Sequence, residues 1–433
     1  MPLHLYNTLT HQLERFRRRT GEPVTVYVCG ITPYDTTHLG HAFTYVTFDV
    51  LIRHLETVHQ WPVRYVQNLT DIDDDVLKRA TQTGEDWRSL GLQWTSRFTD
   101  DLTALNLRPP DRYVGATAQI APIRANIEAL LAAELAYVRN GSVYFRVAAD
   151  PGFGALAALA HDEMLTVANE RGNFPDDPNK ADPLDFVLWQ AGKPGEPAWH
   201  SPWGEGRPGW HIECSTIARA LLGDQVDIHG GGADLVFPHH ACEIAQCEPL
   251  TGVRPWVRFW MHVAMVRMDG EKMSKSLGNL VLIDDLLKAH PPDMVRIYLL
   301  SHHYRESWEW DPDTFAATAA LTQTLHAAIA RTSDKHDGRS LDPATYGPRF
   351  TSALDDDLDT RAALSIVLNL ADDILAAPMG TDVRAAQDVL RVLAGQVLGL
   401  WLRPMDQIPA AEPLKWPAPE IGAPDVERLG AGD

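Results

Sequence analysis

VTVYVCGITPYD (Val24–Asp35) runs directly into TTHLGHAFTYVTFDVLIRHLETV (Thr36–Val58), and the reading of this join decides the fold. The first stretch is a β-branched run interrupted by Gly30 and Pro33, the pattern of a buried strand emptying into a loop. In the second, Phe43, Val46, Val50, Leu51 and Leu55 return at helical spacing. A strand, a loop and then a helix is how a nucleotide-binding α/β unit opens. A second such unit follows in PVRYVQNLTDIDDDVLKRA (Pro62–Ala80), where a strand ends in an acidic turn. Asp71, Asp73, Asp74 and Asp75 in that turn read as a solvated helix start, where carboxylates complement the dipole.

Working outward, the pattern loosens from about Asp111 to Gly195 into helical runs, a short strand near Val143–Val147 and the polar stretch ERGNFPDDPNKADP, as an insertion between two halves of one sheet would. The second half returns with GRPGWHIECSTIARALLG, QVDIHGGGADLVFPHHACEIAQ and the apolar strand WVRFWMHVAMVRM. Beyond Asp311 come long Ala/Leu helices. In one of them Leu364, Val367, Leu368, Ala371 and Leu375 repeat on one face, which predicts a C-terminal helical bundle. The expected division is therefore 1–110 and 196–270 for the two halves of a doubly wound α/β domain, with 111–195 as the insertion. A lysine-loop junction spans 271–312, the bundle 313–405, and an extended acidic, Pro-rich tail without a core of its own 406–433.

Composition narrows the function. Apolar residues make up 45% of the 433 and the formal charge is −20, so a packed fold is expected and broad, non-specific polyanion binding is not. No stretch approaches a membrane span and the N-terminal segment turns basic, so a cytoplasmic chain without a membrane partner is expected. Four scattered cysteines, Cys29, Cys214, Cys242 and Cys247, suit metal binding or packing better than disulfides.

Two motifs carry chemistry. His38-Leu39-Gly40-His41 sits at the first strand-to-helix turn, where imidazoles and a helix N-terminus favour phosphate and Gly40 admits a nucleotide against bare backbone. Lys272-Met273-Ser274-Lys275-Ser276 follows a strand and a Gly turn, and lysines on a serine-rich loop suit the moving charge of a pyrophosphate leaving group. In this order, with an insertion between them, the pair resembles the class I aminoacyl-tRNA synthetases. That resemblance implies a Rossmann-like catalytic domain that activates an amino acid with ATP and Mg2+ to an aminoacyl-adenylate. It implies that His38 and His41 stabilise the transition-state phosphate and that Lys272 and Lys275 hold the pyrophosphate. Gly40, Gly231, Gly232, Asp234, Ser274 and Ser276 would bind ATP, since His229-Gly230-Gly231-Gly232-Ala233-Asp234 resembles the family's adenosine loop.

Cys29, Cys214, His239 and Glu243 match, one by one, the zinc ligands of the cysteine-specific members of that class, which implies one Zn2+ per chain. Zinc solves a selectivity problem, because a substrate thiolate binds it strongly and the hydroxyl of serine does not. Cys29, Thr70, Trp210 and His229 would line the cysteine pocket, with Trp210 as an apolar wall and Thr70 on the ammonium. Cys242 and Cys247 read as packing residues, and His240 as a neighbour of the ligand that points elsewhere on the helix.

The chain is similar to two families at once. CGITPYD followed by Thr-Thr-His-Leu-Gly-His-Ala, DRYVGA, ERGNFPDDPNKADPLD and HYRESWEWD resemble the mycothiol-pathway ligases, which join cysteine to the amine of a glucosaminyl-inositol; Glu243 and SLGN look more like the cysteinyl-tRNA synthetases. Nothing after Leu402 resembles a basic anticodon-binding cap, and the acidic tail would repel an anticodon stem. The expectation is thus a monomeric, ATP-dependent cysteine ligase acting on a small amino-sugar, with a synthetase charging tRNA(Cys) as the alternative. A non-catalytic cysteine or zinc sensor ranks last, since such a protein would be expected to lose a motif histidine or lysine.

Overall fold

The computed structural model describes residues 2–34, 36–273, 278–332, 338–403 and 414–427. Strands β1 (His4–Asn7) and β2 (Gln12–Arg15) form an antiparallel hairpin. Strand β3 (Val24–Val28) is buried along its whole length and leads through a loop into α1 (Leu39–Arg53). Next come β4 (Val63–Leu69), α2 (Asp74–Thr83), α3 (Trp87–Ala104) and β5 (Arg112–Gly115). After the insertion, α6 (Trp210–Leu222), β10 (Val226–Gly232), α7 (Ala241–Thr251) and β11 (Val257–Val263) complete the domain. The five strands lie in the order β11-β10-β3-β4-β5, all parallel, as the apolar, β-branched runs require of a sheet covered on both faces.

The insertion carries α4 (Ile120–Ala132), β6 (Ala136–Arg139), β7 (Ser142–Phe145), α5 (His161–Asn169), β8 (Phe186–Ala191) and β9 (Gly206–Pro208), with the strands in one antiparallel sheet. Both expected boundaries therefore move. Arg112–Gly115 is the edge strand of the central sheet, so the first half ends after residue 110, and Gly206–Pro208 still pairs with β8, so the insertion outlasts residue 195. Short edge strands of three or four residues carry too little periodicity to mark themselves in sequence.

A small sheet of β12 (Val266–Met268), β13 (Glu271–Lys272) and β14 (Trp308–Glu309), with α8 (Ile283–Ala289) and the buried α9 (Pro292–Leu300), leads to the bundle of α10 (Pro312–Ala330), α11 (Tyr346–Asp355), α12 (Thr360–Ala376) and α13 (Arg384–Leu390). On α12 the buried stripe is Ala363, Leu364, Val367, Leu370, Ala371 and Ile374, whereas Leu375, expected on that face, is 40% exposed. Position 375 is the last but one of the helix, which ends at Ala376.

The α9 junction that carries the bundle is tied to the sheet domain by a buried ion network: Asp49 of α1 accepts from Arg296 of α9, from Arg53 at 2.9 Å and from the backbone N–H of Arg108 at 2.7 Å. A second tie joins His54 and His59, whose Nε2 atoms donate to Asp355 Oδ1 at 2.9 and 2.8 Å. Both open edges of the central sheet are covered by distant chain. Thr8 N–H donates to Trp260 O of β11 at 2.9 Å. At β5, Glu420 N–H donates to Tyr113 O and Glu420 O accepts from Gly115 N–H, while Val426 bridges Ala198 and Trp416 packs on the main core. Of the tail read as extended, residues 414–427 are thus a strap bonded to sheet and insertion, because an unpaired sheet edge takes any strand offered to it.

Candidate active site and metal centre

β3 is the switch point of the sheet, with its two neighbours reached by crossovers in opposite directions, and ligands of such sheets bind beyond the carboxyl ends of the strands there. His38 caps α1 at that end: its Nδ1 accepts from Gly40 N–H at 3.1 Å and His41 N–H at 3.4 Å. The ring proton is therefore on Nε2. The His38 and His41 rings stack at 3.7 Å. A Cβ on Gly40 would stand 3.0 Å from His38 Cε1, so this glycine keeps the capping ring in place as well as leaving backbone bare.

The chain beyond residue 278 returns to the same point. Leu39 N–H donates to Val281 O at 2.9 Å and Ile283 N–H to Thr37 O at 3.0 Å, so the chain leaving the loop is laced to the histidine motif. Lys272 ends β13 opposite Arg267, while Ser274, Lys275 and Ser276 lie outside the described residues. At the end of β10, a side chain on Gly232 would come within 2.5 Å of Asp234 Oδ1 and one on Gly231 within 2.7 Å of Leu235. The glycines hold Asp234 against the strand end.

Behind the loop lies a buried cluster of soft and hard donors. Cys29 follows β3, Cys214 sits in α6, and His239 and Glu243 flank the start of α7; their donor atoms lie within 4.8 Å of one another. Cys29 Sγ is 3.9 Å from both Cys214 Sγ and Glu243 Oε1, and His239 Nε2 is 3.2 Å from Glu243 Oε1. Ligands about 2.0–2.3 Å from a tetrahedral zinc are separated by roughly 3.3–3.8 Å, so the set fits that ion. Burial pushes the Cys29 thiol and the Glu243 carboxyl up, and the neighbouring thiol and carboxylate push Cys29 further. Burial also holds His239 well below the usual imidazole range. Neutral imidazole with acids that cannot bear charge alone is a donor set whose charge a cation would balance.

His240 does not point elsewhere. Its Nε2 is 3.3 Å from Cys29 Sγ and its Nδ1 2.7 Å from His262 Nε2, so a second group, Cys29, His229, His240 and Glu243, shares two members with the first. The reason is local: the helical path breaks at Phe237, which is extended (φ −142°, ψ 135°), and the two consecutive histidines that follow the kink both reach the cluster. His229 Nε2 is 3.0 Å from Glu243 Oε2, and burial lowers the His229 imidazole to about 3. Trp210 lies half-buried with its ring stacked on His239 at 4.3 Å. Thr70 is buried, its N–H donating to Ile31 O at 3.0 Å beside the Cys29 loop. His211 and His262 join this ring system through His239 and His240, and no spacing in the sequence pointed to either.

Asp71 is also placed differently from its reading. It is buried, accepts from Thr117 N–H at 3.0 Å, and burial raises its carboxyl to about 6; only Asp74 and Asp75 are exposed. The insertion begins directly over this turn and removes it from water. Cys242 and Cys247 are buried in two separate apolar clusters, as packing cysteines.

Residues 15–320 match the tRNA synthetases class I (C) catalytic domain. The chain belongs to that family. A class I synthetase of this kind uses ATP. Among similar proteins is the L-cysteine:1D-myo-inositol 2-amino-2-deoxy-alpha-D-glucopyranoside ligase of Thermomonospora curvata, 43% identical over 93% of this chain and 95% of its own length. The protein of the same name from Catenulispora acidiphila is 48% identical over 80% of this chain and 82% of its own. The cysteine–tRNA ligase of Dehalococcoides mccartyi is 41% identical over 92% of this chain and 86% of its own. Among solved structures, Mycobacterium tuberculosis methionyl-tRNA synthetase with methionyl-adenylate superposes with a TM-score of 0.62 at 16% identity, covering 93% of this chain and 99% of that one, a likeness of fold. No helix among the described residues is long and apolar enough to cross a membrane.

Proposed function

We propose that this class I (C) family member activates L-cysteine with ATP to cysteinyl-adenylate and transfers it to the amine of a glucosaminyl-inositol, forming an amide. One observation carries the acceptor: relatives named for that reaction are 43% and 48% identical over most of both chains. The reading of the residues follows. His38, with Nδ1 engaged by the start of α1, offers Nε2–H to the α-phosphate, and His41 stacked on it supports the same charge. Asp234 meets the ribose, and Lys272 and Lys275 draw off pyrophosphate with Mg2+. Cys29, Cys214, His239 and Glu243 would hold zinc, which when bound supplies a contact that takes a thiolate and refuses a hydroxyl. Trp210 closes the apolar side of the pocket, His229 steadies Glu243, and Thr70 receives the ammonium.

The competing reading, transfer to tRNA(Cys), is favoured by the 41% identity with a cysteine–tRNA ligase. A single experiment separates them. Purified protein is given radiolabelled cysteine and ATP with either glucosaminyl-inositol or total tRNA. The expected result is a cysteinyl amide that survives mild base, with no tRNA charging; a base-labile ester on tRNA and no amide reverses the assignment.

A further inference from the structure

A cleft of about 850 Å³ opens from Trp210 and Thr32, beside the proposed cysteine pocket, and its far wall belongs to the insertion. That wall is ERGNFPDDPNK (Glu170–Lys180), a stretch that the chemistry above leaves without a role. It is built as a polar lattice. Tyr144 Oη donates to Asp177 Oδ2 at 2.7 Å, Asn179 Nδ2 donates to Asp177 Oδ1 at 2.9 Å, and Asn179 Oδ1 accepts from Asn140 at 2.6 Å. Lys180 Nζ donates to Asn173 Oδ1. The lattice holds its donors and acceptors in set directions facing the cleft, which is what a ligand of many hydroxyls needs.

Phe174 is the second observation. It lines this cleft and is 70% exposed, against the rule that a large aromatic side chain shelters from water. An aromatic ring standing over a polar lattice suits a sugar, whose axial C–H face stacks on the ring while its hydroxyls reach the polar wall. The charged lining holds more carboxylates than cations, and Arg207 is already paired with Asp74. Such a lining draws an ammonium and repels phosphate.

We infer that the 170–180 loop, with Phe174 as a stacking platform and Asp177 and Asn179 as hydroxyl partners, is the binding site of the polyhydroxylated amine acceptor. The inference rests on the function proposed above and assigns the acceptor's place within it. The sugar held there presents its nitrogen towards the Trp210 end of the cleft. The ammonium first gives one proton to solvent or a cleft carboxylate; the neutral nitrogen then forms the N–C bond to the cysteinyl carbonyl, the C–O bond to the adenylate breaks with its electron pair leaving on AMP, and the nitrogen gives up a second proton to the same acceptors.

The test uses full-length Phe174→Ala and Asn179→Ala, assayed in two ways. Cysteine-dependent ATP–pyrophosphate exchange, which needs no acceptor, is expected within twofold of wild type and reports that each variant is folded. The KM for glucosaminyl-inositol is expected to rise roughly tenfold or more, the loss of about one good contact, while the KM for cysteine holds. Unchanged acceptor KM in both variants, with amide still made by wild type, overturns the site and leaves the function standing. No amide from wild type overturns the functional reading first and the site with it.

Discussion

At the scale of single residues, the cluster around Cys29 concentrates what is most testable. Cys214 contributes one of two sulfurs 3.9 Å apart in a pocket that excludes water. Replacing it with serine leaves the volume nearly unchanged and removes a soft ligand. Cys214→Ser is expected to lose both bound zinc, by elemental analysis, and cysteine activation; a full complement of zinc would sink the assignment. His41→Ala should act otherwise, slowing pyrophosphate exchange by about a hundredfold or more with zinc content intact, the effect of removing one donor from a charged transition state. A change under about threefold would remove His41 from the phosphate site. The four candidate ligands were legible in the sequence only through their match to the cysteine-specific members of the class; their convergence within 4.8 Å comes from the fold. His240 was not, since whether a histidine beside a ligand turns inward depends on the backbone kink at Phe237, which spacing does not record.

At the scale of elements, the ties between sheet and bundle are ionic. Burial raises the Asp49 carboxyl, and Arg53 and Arg296 outweigh it and hold it below the usual range. Asp49→Ala would strand two guanidinium groups, and a loss of about 3–5 kcal/mol is expected in urea unfolding; a loss under about 1 kcal/mol would mean that the network carries little. His54 gives a pH signature. Burial lowers its imidazole below the ordinary value, so the unfolded chain takes up a proton first, and stability present above about pH 6.5 is lost as the pH falls below it. In His54→Gln the fall in stability from pH 7.5 to 5.5 should be shallower, by up to about 1.4 kcal/mol per pH unit. An identical slope would show that His54 does not titrate on unfolding. Helices and long strands were readable because their periods are sustained; β5, β9 and the α11 helix were not, being short or fixed only by what packs on them.

At the scale of the whole molecule, charge separates the two acceptors. Gripping tRNA requires many phosphate contacts, so charging would weaken steeply with salt, whereas the chain carries −20 overall. Amide formation is expected to change by less than about threefold between 50 and 200 mM salt, while any tRNA association should vanish across that range. Loss of amide formation parallel to that of a polyanion binder would contradict a small acceptor. The family and the sheet domain were evident from two motifs and the insertion between them. The strap was hidden, because its composition is that of a free tail and only the unpaired β5 edge tells it where to lie.

That strap also sets a clock. Gly422 N–H donates to Thr117 Oγ1 across 305 residues of chain. At about 5–20 residues per second of synthesis, the edge strand emerges from the ribosome roughly 15–60 s before the segment that seals it. Through that interval the nascent sheet presents a parallel edge with nothing beside it, and crowding by neighbouring copies on one messenger would offer it the wrong strand. Sealing of this sheet edge therefore waits on residues made 305 positions after the turn they bind.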